Sequence, residues 1–200
     1  GGLAVRILML GNSLTFANNM PRMLAELTGA EVVHHTRGGA RFSEQLNPKT
    51  KLGARTQAAL TQEHWDYVVL QEMSHGPVSS PERFLSSVER LCAIIRENGA
   101  VPILYATWGY QRGSAALAAK NWDYDVMARG LADAYRKAAE NNHALLAEVG
   151  RRFYELSDAK NLYAADGVHP NEEGSRLAAE IIAAVIQKQE EKQRLREGTR

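Results

Sequence analysis

The chain has 200 residues, a formal net charge of +1, 44% hydrophobic and 24% charged residues, a composition of soluble globular type with room for a sizeable core. That balance gives no field to draw the chain to nucleic acid or an anionic membrane surface, and no apolar run approaches the roughly 18 residues that span a bilayer. The single cysteine, Cys92, excludes an intrachain disulfide and a cysteine-rich metal site, and its setting among Val88, Leu91 and Ile95 reads as a small buried apolar residue.

In chain order, "AVRILML" (4–10) reads as a buried strand closed by Gly11. "MPRMLAELTG" reads as a helix with Pro21 in its first turn and Gly29 as its stop. "EVVHHT" (31–36) is a second strand, followed by the glycine turn "RGGA". Strands three, four and five are read in "DYVVLQ" (66–71), "VPILYAT" (101–107) and within "HALLAEVG" (143–150). Between them, apolar residues at helical spacing predict helices from Pro81 to Asn98 and from about Trp122 to Asn141. A last helix starts near Asn171, a cap followed by Glu172 and Glu173 at its positive end.

Strands alternating with helices imply parallel pairing through right-handed crossovers, and strands apolar throughout imply burial on both faces. The expected fold is a three-layer α/β/α sandwich of about five parallel strands. Residues 1–186 would form one domain, and the charged 187–200 a solvated helix end or tail. The compartment stays open between the cytoplasm and secretion with a leader removed.

Ligands of open parallel sheets bind beyond the carboxyl ends of the strands. Four features fall there: Ser13 after strand one, Gly38 and Gly39 after strand two, Gln71 and Glu72 at the end of strand three, and "DGVHP" (166–170) before the last helix. Taken alone, Ser13 in "ILMLGNSLTF" reads as a turn serine. The patterns GxSxG, GxGxxG and GxxxxGK[ST] are all absent. "DGVHP" places a carboxylate three residues from an imidazole in a tight turn, close enough for Asp166 to hold His169 in one tautomer. A serine needs such a base, oriented by a third group, to become a nucleophile.

The combination "GNSLT", a Gly–Gly turn after strand two and "DGVHPNEEG" resembles the SGNH/GDSL hydrolase superfamily over roughly residues 5 to 186. The resemblance implies a flavodoxin-like sandwich and an esterase without cofactor or metal. It implies Ser13 as nucleophile, His169 as base and Asp166 as its partner. The oxyanion hole would be built from the backbone N–H groups of Ser13 and Gly39, with Gly38 the neighbouring choice. Two departures stand out. Asn12 replaces the family's Asp, which has no triad role. "LQE" replaces "GxND" at strand three, and Gln71 is expected to supply the amide donor of the missing Asn. Asn12, Glu72 and Trp108 are candidate substrate-lining residues.

The expected partner is a small-molecule or carbohydrate ester, with neither nucleic acid nor an integral membrane contact. Short acyl chains such as acetyl are favoured because no long apolar lid is evident. Asn12 and the missing "GxND" keep open a second class, a non-hydrolytic carbohydrate- or acyl-binding module on the same fold. A flavin- or nucleotide-binding role ranks third.

Overall fold

The computed structural model describes residues 4–198. Strands β1 (Arg6–Gly11), β2 (Glu31–Thr36), β3 (Tyr67–Leu70), β4 (Val101–Tyr105) and β5 (Leu145–Ala147) form one parallel sheet in the order β2-β1-β3-β4-β5. The register sets Gly11 beside Thr36 and Leu10 beside Leu70. The helices are α1 (Ser13–Phe16), α2 (Met20–Thr28), α3 (Phe42–Gln45), α4 (Lys51–Gln62), α5 (Gly76–Ser79), α6 (Pro81–Asn98), α7 (Ala115–Lys120), α8 (Tyr124–Asn142), α9 (Val149–Glu155) and α10 (Glu172–Gly198).

The continuous apolar strands split by their period of two. Ile7, Met9, Tyr67, Val69 and Ile103 face Leu24 of α2 and Ala178, Ile182 and Ile186 of α10. Leu8, Leu10, Val68, Leu70 and Leu104 face Leu60 of α4, Leu91 and Ile95 of α6, and Tyr135 of α8. These two packed layers make the three-layer α/β/α sandwich. The leucines and isoleucines of the central strands are fully buried, so truncating one to alanine costs about 2–5 kcal/mol.

Several boundaries move. The third and fourth strands are shorter than their apolar runs, because Gln71 and Glu72 leave the sheet and the chain turns after Tyr105. Helix α4, which the sequence reading left without an element, begins at a Thr50 cap whose hydroxyl accepts from the Gly53 N–H at 2.9 Å. The segment from 187 stays helical to Gly198, and the Tyr67 hydroxyl holds Glu190 at 2.5 Å; residues 199 and 200 lie outside the described residues. Asn171 does cap α10, its Oδ1 accepting from the Gly174 N–H at 2.9 Å.

Strand β1 lies between β2 and β3, so the chain leaves it to opposite sides and opens a crevice at its carboxyl end. Gly11, the glycine loop after β2, Gln71–Glu72 after β3 and Trp108 after β4 all lie at that end of their strands.

Candidate active site

Strand β1 runs directly into helix α1. Asn12 is the cap: its Oδ1 accepts from the Leu14 N–H at 3.0 Å, and its carbonyl accepts from Thr15 and Phe16 at 2.9 and 3.2 Å. Its amide nitrogen donates to the Ala40 carbonyl at 3.2 Å, which ties this turn to the glycine loop after β2. An aspartate could cap equally well but could not make that second bond. The asparagine is therefore a functional fit for its place and is buried, so it braces the site without lining it.

Ser13 is the first residue of α1, where an N–H has no acceptor within the helix. Its Oγ lies 2.8 Å from His169 Nε2. On the other side of the ring, His169 Nδ1 lies 2.5 Å from Asp166 Oδ2. A carboxylate facing Nδ1 assigns the proton to that nitrogen and leaves Nε2 free to accept the serine proton. Residues 156 apart in sequence thus meet in one hydrogen-bonded chain.

Asp166 is held by its own loop. Its Oδ1 accepts from the N–H groups of Val168 and His169 at 3.0 and 2.9 Å. Desolvation raises its pKa, but the His169 bond and these two N–H groups outweigh it, and the carboxyl ends below its ordinary value. The loop is anchored from behind. Trp108 Nε1 donates to the Val168 carbonyl at 2.9 Å, and its ring stacks on Phe153 at 4.1 Å. Tyr163 and Pro170 form an antiparallel bridge, and Asn18 donates to the Pro170 carbonyl at 2.9 Å. The His169 and Asp166 side chains remain 41% and 49% exposed, so this side of the site is open.

Gly39 carries a φ of +73°, a left-handed conformation that costs glycine nothing, and the Ala40 N–H donates to the Arg37 carbonyl at 3.0 Å. Arg37 pins the loop through Glu44 at 2.5 Å and the Gly38 carbonyl at 2.7 Å. Gly38 and Gly39 are both exposed.

Two expectations change. Trp108 is buried, its indole committed to the base loop, so it supports His169 and is not a wall for substrate. Gln71 is also buried, and its side-chain oxygen accepts from the Asn12 N–H at 3.1 Å and the Thr15 hydroxyl at 2.8 Å. Its nitrogen donates to the Glu72 carbonyl at 2.5 Å. The amide is turned into the nucleophile turn and away from a substrate carbonyl. Glu72 is buried likewise, its Oε1 accepting from the Phe42 and Met73 N–H groups at 3.0 and 2.8 Å. Burial pushes its carboxyl above the ordinary range, a rise partly offset by those two bonds and by Arg41.

Sequence reasoning missed Thr15, Asn18 and Tyr105, whose hydroxyl donates to the Leu14 carbonyl at 3.1 Å. Asn18 and Asn19 both have left-handed φ, 56° and 58°, and the Asn–Asn pair was the available signal. No group of three or more His, Cys, Asp or Glu that could hold a metal lies among the described residues. A groove of about 610 Å³, lined by Pro77, Val78, Trp122 and Val126 among others, lies between α5 and α8, away from the triad residues.

A family model described as GDSL-like lipase/acylhydrolase matches residues 9–177, and the chain belongs to that family. It is a hydrolase of the SGNH type. It is similar to a protein of Slackia heliotrinireducens assigned to the SGNH hydrolases, with 54% identity over 92% of this chain and 100% of that one, and a TM-score of 0.89. A DUF4886 family protein from Bacteroides uniformis shares the fold at 20% identity and a TM-score of 0.69, over 92% of this chain and 83% of that one. The α/β hydrolase LAE5 from the Lake Arreo metagenome does so at 18% identity and 0.69, over 92% and 96%. No curated protein matches the chain.

Proposed function

We propose that the protein is a serine esterase that hydrolyses a carboxylic ester through an acyl-enzyme. The observation that carries this reading is the chain Ser13 Oγ–His169 Nε2 and His169 Nδ1–Asp166 Oδ2, at 2.8 and 2.5 Å. His169 Nε2 takes the hydroxyl proton as Ser13 attacks the ester carbonyl. Asp166 stabilises the imidazolium that forms. The tetrahedral oxyanion is held by the N–H groups of Ser13 and Gly39, and losing one such donor costs about 10²–10³ in rate. His169 then gives its proton to the leaving alkoxide. Water repeats the sequence on the acyl-enzyme and regenerates Ser13.

The substrate class proposed is a short acyl ester, such as acetyl, on a bulky alcohol such as a carbohydrate. The half-exposed base and its partner support this, because an open side accommodates a large leaving group. A fluorophosphonate will label Ser13, and Ser13→Ala will lose turnover of p-nitrophenyl acetate by about 10⁴-fold or more. Labelling at another serine, or undiminished turnover in the variant, refutes the mechanism. An acyl-length series run beside acetylated saccharides tests the substrate class, with rates expected to fall as the acyl chain lengthens.

A further inference from the structure

A residue at the end of β3 can serve an oxyanion hole in two ways. It can point its own donor at the oxyanion, or it can fix the backbone that donates. The contacts of Gln71 and Glu72 distinguish the two. The Asn12 backbone N–H can only donate, so the amide end of Gln71 that faces it is the oxygen. That oxygen also takes the Thr15 hydroxyl, and the amide nitrogen is spent on the Glu72 carbonyl. Gln71 is 1% exposed, so its side chain has no face left for a ligand. The clamp is close-packed: a Cβ at Gly11 would lie 2.6 Å from both Gln71 Oε1 and Thr15 Oγ1, so residue 11 must be glycine for the three groups to meet.

The neighbouring residue does the same for the other loop. Glu72 Oε1 receives the N–H of Phe42, three residues past Gly39, together with the N–H of Met73. The two loops so held are then joined to one another by the Asn12 amide and the Ala40 carbonyl. One dipeptide at the end of β3 thus reaches both backbone segments that border the nucleophile.

We propose that Gln71 and Glu72 are positioning residues that set the oxyanion hole from behind. Gln71 clamps the turn carrying the Ser13 N–H through Asn12 and Thr15, and Glu72 holds the loop carrying the Gly39 N–H through Phe42. The hole is then built from backbone donors alone, and "LQE" replaces a donating side chain with a brace. Thr15 belongs to the machinery as the partner of Gln71. This inference rests on the serine-esterase reading for its catalytic consequence, but the brace itself is a matter of coupled hydrogen bonds.

The test is a double-mutant cycle of Thr15→Ala and Gln71→Met, with Thr15→Ser as the rescue. Turnover of p-nitrophenyl acetate and unfolding in urea are both read. Thr15→Ala is expected to lower kcat about fivefold with KM within about twofold, the loss of one buried bond to the clamp. Gln71→Met is expected to lower kcat by about 10²-fold through misplacement of the nucleophile turn. The double variant is expected to be no slower than Gln71→Met, and Thr15→Ser to restore the wild-type rate.

If Gln71 donated to the oxyanion instead, Thr15→Ala would keep the wild-type kcat and the two effects would multiply; that result overturns the proposal. If Gln71→Met fails to fold, the Thr15→Ala and Thr15→Ser pair still decides it, since a clamp requires the first to fall and the second to recover. If the wild-type protein turns over no ester, only the esterase reading falls. The urea cycle then decides the clamp, with coupling supporting it and additive effects overturning it.

Discussion

Glu72, after β3, and Asp166, ahead of α10, stand on opposite sides of one site, and the fold shifts them in opposite directions. Burial drives the Glu72 carboxyl up, and its backbone partners only partly offset the rise. Asp166 is desolvated too, but His169 and two loop N–H groups bring its carboxyl below the ordinary value. The contrast extends to their surroundings. The nucleophile half is dry, with Asn12, Thr15, Gln71 and Glu72 all buried, whereas the base half leaves His169 and Asp166 half in solvent. Each arrangement suits its task. Backbone donors must be rigid before charge develops, and the base must hand protons to a departing alcohol and take them from water.

The comparison breaks most visibly at Asp166. Asp166→Asn leaves the loop's geometry available but removes the charge that holds the imidazolium, and kcat is expected to fall by about 10²- to 10⁴-fold. A smaller loss, measured on p-nitrophenyl acetate, would mean that solvent around this exposed pair does much of the stabilising. Next comes the support behind the base. Trp108→Phe keeps a ring against Phe153 and removes only the donor to Val168, so kcat is expected to drop about fivefold with KM unchanged. A wild-type kcat would show that the Tyr163–Pro170 bridge and Asn18 suffice to hold the loop.

The smallest expected effect is on stability against pH. Glu72 has a raised pKa in the folded state, so its contribution is fully present below the unfolded value and is lost as pH rises through the folded value. Asp166 is the reverse: its contribution is present above the unfolded value and is lost as pH falls through its depressed folded value. Urea midpoints of wild type and Glu72→Gln, followed from neutral pH into the acid range, are expected to converge. There the wild type recovers stability that the glutamine variant cannot gain. Parallel curves would remove the distinction between the two carboxylates.

Much of this molecule could be read before its structure. The five strands announced themselves because residues buried on both faces make uninterrupted apolar runs, and helix α6 was bounded by Pro81 and the "ENG" stop at the residues where it begins and ends. The triad was legible because Asp166 and His169 are neighbours in sequence and Ser13 follows a strand. Helix α4 was not, since Gly53, Gln57 and Thr61 interrupt its apolar face and most of its buried side chains are small. Gln71 and Trp108 share a different cause of error. Sequence placed both at the catalytic ends of their strands, correctly, but the direction of a side chain depends on what surrounds it. Each turns inward because a buried acceptor or donor awaits it there.

Asn12 bears on how such a protein could be engineered. Consensus redesign replaces rare residues by the commonest one in a family and often gains stability. At this position it would install aspartate. The cap on α1 would survive, but a carboxylate oxygen would then face the Ala40 carbonyl where an N–H now donates. The odd letter in the motif is coupled to the loop beside it, and a redesign would have to change both together or leave both alone.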